Sequence, residues 1–157
     1  MKFIRDDFSE IDAWFDVLDH KSIRAIGDFF ELPSRATEGS AGYDFHSPFD
    51  VIVRKGKTVR FPLCVKVEDM PKDTVLLVFN RSGLSLKGGI RLDNAVGVID
   101  SDYKETIWFQ ATNHGKKTYM IHTNDRVAQG VFVKFGKTDD DTTGKDERHG
   151  GFGSTGK

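Results

Sequence analysis

The sequence predicts an all-β domain in residues 32–136, on two observations. Short apolar runs alternate there with turns rich in Gly, Asn, Asp and Pro, which is the pattern of strands joined by tight turns. None of these runs has the three-to-four-residue apolar spacing of an amphipathic helix. About eight strands at this spacing indicate a β-sandwich, a jelly roll or a barrel. The predicted strands are residues 51–53, 58–61, 63–67, 75–79, 96–99, 106–112, 118–122 and 127–135.

Residues 1–31 form an N-terminal extension of different character. Asp6 or Asp7 can cap a helix there, ahead of apolar residues spaced three or four apart. Those apolar residues are Phe8, Ile11, Phe15 and Leu18. The spacing predicts a short amphipathic helix that packs on the β domain, although the same helix could instead bind a partner protein.

Residues 137–157 contain little that a folded core could bury. Residues 137–147 are rich in Asp, Thr, Gly and Lys, and we expect a solvated, mobile tether. The C-terminal arm, residues 148–157, has four glycines in ten residues, so its backbone N–H groups can wrap around an anion. Arg148 can pair with a phosphate there, and Phe152 offers a ring on which a base can stack.

The charge balance argues against a polyanionic or membrane partner. Lys and Arg number 23 against 24 Asp and Glu, so no whole-molecule field attracts nucleic acid or lipid headgroups. The first 20 residues carry two basic and six acidic side chains, which leaves a mild positive excess on the rest of the chain. That excess suits an anionic small molecule.

Cys64 is the only cysteine, which excludes an intrachain disulfide and the zinc sites built from paired cysteines. No apolar run is long enough to span a bilayer, and the N-terminus lacks the basic and apolar segments of a signal peptide. We therefore expect a cytoplasmic protein.

Residues 80–103 carry the groups that phosphate chemistry requires. Arg81, Ser82 and Gly83 combine a guanidinium with a backbone that a phosphate can approach closely. Asp100 follows the apolar run 96–99, so its carboxylate is expected where a buried strand meets a turn. A carboxylate in that position can serve as a general base.

With three further segments, these residues resemble the five ordered motifs of the trimeric dUTPase family. The motifs follow the family's order over residues 32–157. They read Ala41-Gly42-Tyr43-Asp44, Arg81-Ser82-Gly83-Leu84, residues 97–103 with Asn94 upstream, Asp125-Arg126-Val127-Ala128-Gln129, and residues 150–156.

The resemblance implies a jelly-roll β-barrel subunit and a homotrimer with shared active sites, in which the C-terminal arm closes over a neighbour's site. The implied reaction is hydrolysis of dUTP to dUMP and pyrophosphate with Mg²⁺ on the triphosphate, which limits uracil incorporation into DNA and supplies dUMP. Asp100 would orient and deprotonate the water that attacks the α-phosphorus.

The resemblance also assigns the other site residues. Asp44 and Gln129 would hold Mg²⁺ through its waters, and Gln129 would also contact the substrate. Asn94 and the backbone at Gly97 would read the polar edge of uracil, while Tyr103 would pack under the deoxyribose and exclude a 2′-hydroxyl. The remaining residues would bind the phosphates or, for Phe152, cover the uracil ring; they are Arg81, Ser82, Gly83, Arg148, Phe152, Gly153, Ser154 and Thr155.

Three features depart from the family pattern. Lys104-Glu105-Thr106 stand where the family commonly has a basic residue, Gly and an acidic residue. Arg148 precedes Phe152 by four residues, where five is common, and the first 30 residues have no counterpart in the motifs.

Two other functions compete with dUTP hydrolysis. A dCTP deaminase of the same superfamily, or a bifunctional relative, would have a catalytic Glu where this chain has Gln110, which cannot act as an acid or base. A zinc deaminase is excluded because its H-x-E and paired cysteines are absent from the sequence. A nucleotide-binding trimer could also signal to a partner protein through residues 1–31.

Overall fold

A computed structural model describes residues 1–6, 23–26 and 30–142, with residues 23–26 described by their backbone alone. The described chain is almost entirely β, as predicted, and its one helical segment is a π-helical turn at Leu84–Gly88. The strands are β1 Lys2–Arg5, β2 Ile23–Ile26, β3 Ser34–Arg35, β4 Tyr43–His46, β5 Phe49–Val53, β6 Thr58–Pro62, β7 Val65–Glu68, β8 Thr74–Asn80, β9 Ile90–Leu92, β10 Val96–Ile99, β11 Trp108–Asn113, β12 Tyr119–Ile121 and β13 Arg126–Lys134.

The strands pair antiparallel throughout and form four sheets. The largest sheet has the order β10-β8-β13-β4-β3, and the others are β6-β11-β9, β12-β5-β2 and β1-β7. Most neighbours in these sheets are far apart in sequence, so long-range strand pairing defines the fold. Turns and irregular segments connect the strands at the ends of the sheets. Polar side chains on these segments can contact a ligand.

A phenylalanine-rich core joins the sheets. Strand β5 alternates buried and half-buried residues, as expected when one face of a sheet is packed and the other is partly open. The Phe61 ring lies 6.2 Å from Phe49 and 5.1 Å from Phe109 between ring centroids, and all three side chains are fully buried. Burial of each ring contributes about 1.5–3 kcal/mol to stability, so this contact holds sheets β12-β5-β2 and β6-β11-β9 together.

Strand β1 attaches the N-terminus to the β domain. It pairs with β7, and the Phe3 ring packs against Tyr43, Phe45 and Phe132 at centroid distances of 5.3, 5.4 and 5.6 Å. Strand β2 pairs with β5. Segments near both ends of the N-terminal extension therefore pair with strands of the β domain. Residues 8–18, where the helix is predicted, lie outside the described part of the chain.

Cys64 lies in the turn before β7 with a positive φ of 54° and a buried side chain. Its carbonyl accepts a hydrogen bond from the Asp6 backbone N–H at 3.0 Å, just beyond β1. Burial raises the pKa of the thiol to about 12, with a smaller contribution from the nearby Asp6 carboxylate. The thiol is therefore protonated at neutral pH.

After β13, residues 135–142 have exposed side chains and no regular secondary structure. The C-terminal arm lies outside the described residues. Within the described part of the chain, no helix has the length and apolar character needed to cross a bilayer.

Candidate active site

Asp44 is a buried carboxylate at the centre of a cluster of polar side chains. It lies in β4 directly opposite Gln129 of β13. The Arg81 Nε lies 3.2 Å from Asp44 Oδ1, and the Arg126 Nη1 donates a hydrogen bond of 3.3 Å to Oδ2. We call Asp44, Arg81, Arg126 and Gln129 the Asp44 cluster. One buried negative charge thereby holds two guanidinium groups on neighbouring strands.

The two oxygens of Asp44 differ in their contacts. Oδ2 accepts the hydrogen bond from Arg126, whereas Oδ1 accepts no hydrogen bond from any described residue. The Arg81 contact with Oδ1 is therefore an ion pair whose angle does not suit a hydrogen bond.

Gly42 gives Gln129 its place in the cluster. A Cβ added at Gly42 would lie 2.4 Å from both Cγ and Cδ of Gln129. Since carbon atoms do not approach so closely, no residue with a side chain fits at position 42 unless Gln129 moves. Gly42 of the first motif and Gln129 of the fourth motif therefore pack directly against each other.

Arg81 leads from β8 into the π-helical turn. Its backbone carbonyl accepts a hydrogen bond of 3.0 Å from the Ser85 N–H, which fixes the turn. Ser82 and Gly83 are exposed, and a Cβ at Gly83 would meet no atom within 4 Å. Ser82 and Gly83 therefore leave the surface next to Arg81 uncrowded.

A second site, which we call the hairpin cleft after the turn that joins β9 to β10, has a volume of about 230 Å³. Three residues predicted to contact the nucleoside, Asn94, Gly97 and Tyr103, line it together. The other lining residues are Val78, Leu92, Val98, Ile99, Ile107, Trp108 and Gln110. The cleft combines apolar walls with a few amide groups, which is typical of a site for a small aromatic ring.

Two local contacts shape the hairpin cleft. A Cβ on Gly97 would lie 3.4 Å from Val78 and 3.7 Å from the Asn94 Nδ2, so the bare backbone of Gly97 faces the Asn94 amide. Tyr103 is buried, and its hydroxyl donates a hydrogen bond of 2.9 Å to the Thr106 carbonyl. This bond fixes the phenol ring as one wall of the cleft.

Asp100 stands at the end of β10, immediately after Ile99, which lines the hairpin cleft. Its carbonyl accepts a hydrogen bond of 3.1 Å from the Tyr103 N–H, closing a tight turn. Asp100 is exposed and also borders an open groove with Ser101 and Phe135. The Asp100 residue is therefore accessible to solvent.

Within one chain, Asp100 and the Asp44 cluster lie far apart. Strand β10 runs antiparallel to β8, with Val96 opposite Phe79 and Ile99 opposite Leu76. Asp100 is thus beside the beginning of β8, whereas Arg81 follows its end. Six residues of extended strand lie between the level of Asp100 and that of Arg81, and they span roughly 20 Å. Within one chain the residues of the candidate site therefore form two separate groups, which we call half-sites. One is the Asp44 cluster and the other is the hairpin cleft with Asp100.

His46 lies below the Asp44 cluster, opposite Arg126 in the β4–β13 pair. Burial lowers the pKa of its imidazole, and the Glu31 carboxylate at 3.7 Å only partly opposes that effect. The Nδ1 atom is buried and makes no hydrogen bond with a described residue. The imidazole is consequently neutral at pH 7 and lies across the strand pair from Arg126.

Sequence reasoning missed several residues of these sites. Arg126 belongs to the fourth motif but was assigned no role, and its contact with Asp44 depends on strand pairing. Trp108 and Gln110 line the hairpin cleft through the exposed face of β11. The predicted contacts from Arg148, Phe152, Gly153, Ser154 and Thr155 lie outside the described residues.

Comparison with known proteins identifies the family. The family model described as dUTPase matches residues 28–156. The deoxyuridine 5'-triphosphate nucleotidohydrolase of Haemophilus ducreyi is 39% identical over 140 residues, covering 84% of this chain and 91% of the relative. The corresponding protein of Cronobacter sakazakii is 35% identical over 138 residues, with coverage of 84% and 91%.

Solved structures agree with this result. The dUTPase from Streptococcus mutans, whose crystal structure is known, is 34% identical in sequence and has a TM-score of 0.65. The alignment covers 75% of this chain and 98% of the S. mutans chain. A mutant dUTPase from phage phi11 of S. aureus, whose structure shows the coordination of a structural Mg(II) ion, has a TM-score of 0.65 at 22% identity and covers 80% and 97%. The phage structure shows a common fold. With the family match over most of its length, this chain belongs to the dUTPase family.

Proposed function

We propose that the protein hydrolyses dUTP to dUMP and pyrophosphate by attack of water on the α-phosphorus. The observation that carries the proposal is that Asp100 directly follows Ile99, which lines a cleft together with Asn94, Gly97 and Tyr103, in a chain of the dUTPase family. The reaction would limit uracil incorporation into DNA and supply dUMP. The buried, protonated thiol of Cys64 fits a reducing cytoplasm.

Asp100 acts on the attacking water. Its carboxylate is exposed at the end of a strand whose last residue lines the nucleoside cleft. A carboxylate held there can accept a proton from water and direct the oxygen toward the innermost phosphorus. The hydrogen bond from the Tyr103 N–H to the Asp100 backbone carbonyl fixes the backbone of Asp100 next to the wall expected under the deoxyribose.

The Asp44 cluster binds the phosphates. Arg81 and Arg126 offer two guanidinium groups, and the open backbone at Ser82 and Gly83 offers N–H groups beside them. Guanidinium groups form paired, charge-assisted hydrogen bonds to phosphate oxygens. Asp44 keeps both guanidinium groups in place before the substrate arrives, which reduces the ordering cost of binding.

Asp44 and Gln129 also fit an outer-shell role toward Mg²⁺. The Asp44 Oδ1 is buried and accepts no hydrogen bond from a described residue, and Gln129 lies directly opposite on β13. These oxygen donors suit a hard cation that retains its waters. When bound, Mg²⁺ neutralises charge on the triphosphate and the departing pyrophosphate.

A homotrimer would unite the two half-sites. Because Arg81 and Asp100 lie at opposite ends of β8, one nucleotide cannot reach both within a single chain. A second copy that places its hairpin cleft beside the Asp44 cluster completes the site. The C-terminal arm of a further copy would then close over the nucleotide, with Phe152 on the base and Arg148, Gly153, Ser154 and Thr155 on the phosphates.

The test is hydrolysis in water labelled with ¹⁸O, with dUTP, UTP, dCTP and dTTP as substrates and with or without Mg²⁺. We expect pyrophosphate release that prefers dUTP, requires Mg²⁺ and places the label in dUMP. Asp100→Asn is the matched control for contaminating phosphatases. Label recovered in pyrophosphate, or equal hydrolysis of all four nucleotides, would contradict the proposal.

A further inference from the structure

The π-helical turn Leu84–Gly88 directly follows residues 81–83, which are proposed to bind the phosphates. The Ser85 N–H donates a hydrogen bond of 3.0 Å to the Arg81 carbonyl at the start of this turn. The Gly89 N–H donates one of 3.0 Å to the Ser85 carbonyl at its end. This chain of bonds couples the position of Gly89 to that of Arg81.

The β11–β12 turn, residues 114–118, packs directly against the end of the π-helical turn. The His114 N–H donates a hydrogen bond of 2.8 Å to the Gly89 carbonyl. Gly89 has a positive φ of 69°, and a Cβ there would lie 2.5 Å from the Gly115 Cα. A Cβ on Gly115 would lie 2.7 Å from the Gly88 carbonyl oxygen. The two turns therefore touch through their backbones, which requires glycine on both sides of the contact.

Asn113 anchors the β11–β12 turn to the core. Its side chain is fully buried, and its Nδ2 donates hydrogen bonds of 2.8 Å to the Val53 carbonyl and 2.9 Å to the Lys117 carbonyl. Its Oδ1 accepts a hydrogen bond of 2.8 Å from the Gly115 N–H. The amide thus uses both of its hydrogens and its oxygen inside the protein. Gly115 is consequently tied to the end of β5 by a buried side chain.

We propose that Gly115 is a positioning residue for dUTP hydrolysis, which sets the place of Arg81 and of the phosphate-binding backbone beside it. The inference rests on the proposed function. Gly115 limits the position of Gly88 at one end of the π-helical turn. The hydrogen bonds through that turn carry the constraint to Arg81 at the other end. Because a guanidinium must meet phosphate oxygens at short range and in a defined direction, a small shift of the turn weakens binding of the triphosphate.

The first experiment adds a single methyl group with Gly115→Ala. The new Cβ would lie 2.7 Å from the Gly88 carbonyl oxygen, so the two backbones must move apart. We expect KM for dUTP to rise by about tenfold, as for the loss of one charge-assisted hydrogen bond, while kcat changes by less than about threefold. Deoxyuridine has no phosphates, so it should inhibit the variant and the wild type with equal inhibition constants.

Two control variants separate positioning from loss of stability. Gly39→Ala adds the same methyl group where a Cβ meets no atom within 4 Å, so neither KM nor the thermal midpoint should change. Val59→Ala shortens a buried side chain of β6 and should lower the thermal midpoint. If KM depends on the position of the turn and not on overall stability, Val59→Ala leaves KM unchanged.

A second pair of variants displaces the same turn from another side. A Cβ on Gly88 would lie 2.6 Å from Cε2 of the Tyr119 ring, so Gly88→Ala should also raise KM for dUTP. Tyr119→Val removes that ring and keeps a β-branched residue in β12. In the double variant, KM should return towards the wild-type value, while the lost packing of the ring lowers the thermal midpoint further. General loss of structure cannot restore KM while it lowers stability.

The possible results separate failure of this inference from failure of the proposed function. Normal dUTP hydrolysis by the wild type with an unchanged KM in Gly115→Ala, or with equal losses of affinity for dUTP and deoxyuridine, would overturn the positioning role alone. If Gly115→Ala does not fold, the Gly88→Ala pair decides, and failure of Tyr119→Val to restore KM would overturn the positioning role. Absence of dUTP hydrolysis by the wild-type protein would overturn the proposed function and this inference with it.

Discussion

Arg81 and Asp100 lie at opposite ends of strand β8, at levels separated by roughly 20 Å of extended chain. Each is surrounded by the other residues of its own half-site. Arg81 adjoins Asp44, while Asp100 adjoins the turn to Tyr103. The proposed site, in which both residues serve one nucleotide, therefore requires two copies of the chain.

Mixed oligomers test this arrangement. We expect Arg81→Ala and Asp100→Asn to be inactive alone, because one cannot hold the phosphates and the other cannot activate water. When the two variants are refolded together in equal amounts, random assembly into rings should return about a quarter of the wild-type sites. Pyrophosphate release measures the recovery. Failure to recover any activity, despite mass spectrometry showing mixed oligomers, would place both residues in one chain's site.

Asp100→Asn should separate catalysis from binding. The amide keeps the shape of the side chain but cannot take a proton from water, so we expect kcat to fall by at least about a hundredfold. Titration calorimetry with a non-hydrolysable dUTP analogue should give nearly wild-type affinity. Asp102→Asn, two residues further along the same turn, is the control. Weak binding with a normal turnover rate would contradict the role assigned to Asp100.

Gly42→Ala should impair the Asp44 cluster. The new Cβ would meet Gln129 at 2.4 Å, so that side chain must move away from its place opposite Asp44. We expect activity to fall and the Mg²⁺ concentration required for half-maximal rate to rise. Gly39→Ala is a matched control, since a Cβ there meets nothing within 4 Å. If Gly42→Ala and Gly39→Ala have equal activities, the position of Gln129 opposite Asp44 is not required for activity.

Removal of residues 148–157 should reduce turnover without unfolding the β domain. The core and the sheets lie within the described residues before this segment, so the thermal midpoint should be unchanged. The C-terminal arm is expected to exclude water from the nucleotide, so its loss should lower kcat/KM for dUTP. A truncated protein with full activity would refute closure by the arm.

Acidification should destabilise the protein through His46. Burial lowers the folded-state pKa of this imidazole below its ordinary value of 6.5. The unfolded chain therefore binds the proton first as the pH falls below 6.5, and stability declines until the folded pKa is reached. Urea unfolding over this range measures the decline. His46→Gln should show a shallower pH dependence than wild type, and an identical dependence would exclude His46 as the cause.

The sequence predicted strands wherever apolar residues dominate the pattern. All eight predicted strands are present, with ends that differ by up to a few residues. The missed strands have other origins. Strand β4 contains Asp44 and His46, whose polarity hid its buried character, and β9 is only three residues long. Strands β1, β2 and β3 exist because body strands offer edges for pairing, which local sequence does not show.

The family resemblance predicted the residues of the candidate site and active sites shared between subunits, but it did not show which of those residues lie together within one chain. Motif order placed Arg81 and Asp100 in one list, whereas their separation depends on the antiparallel register of β8 and β10. The same limit applies to Arg126, which reaches Asp44 only through the pairing of β13 with β4. Likewise, no local pattern brings Gly115 against Gly88, since the two glycines lie in different turns of the chain.

Because Cys64 is the only cysteine in the sequence, the rate at which its thiol reacts reports local opening of the structure around it. It is buried and almost fully protonated, and the first strand is hydrogen-bonded next to it. An alkylating reagent can modify it only after that part of the molecule has opened. Timed alkylation followed by mass spectrometry would therefore report how often the N-terminal strand detaches, with no dye or engineered probe.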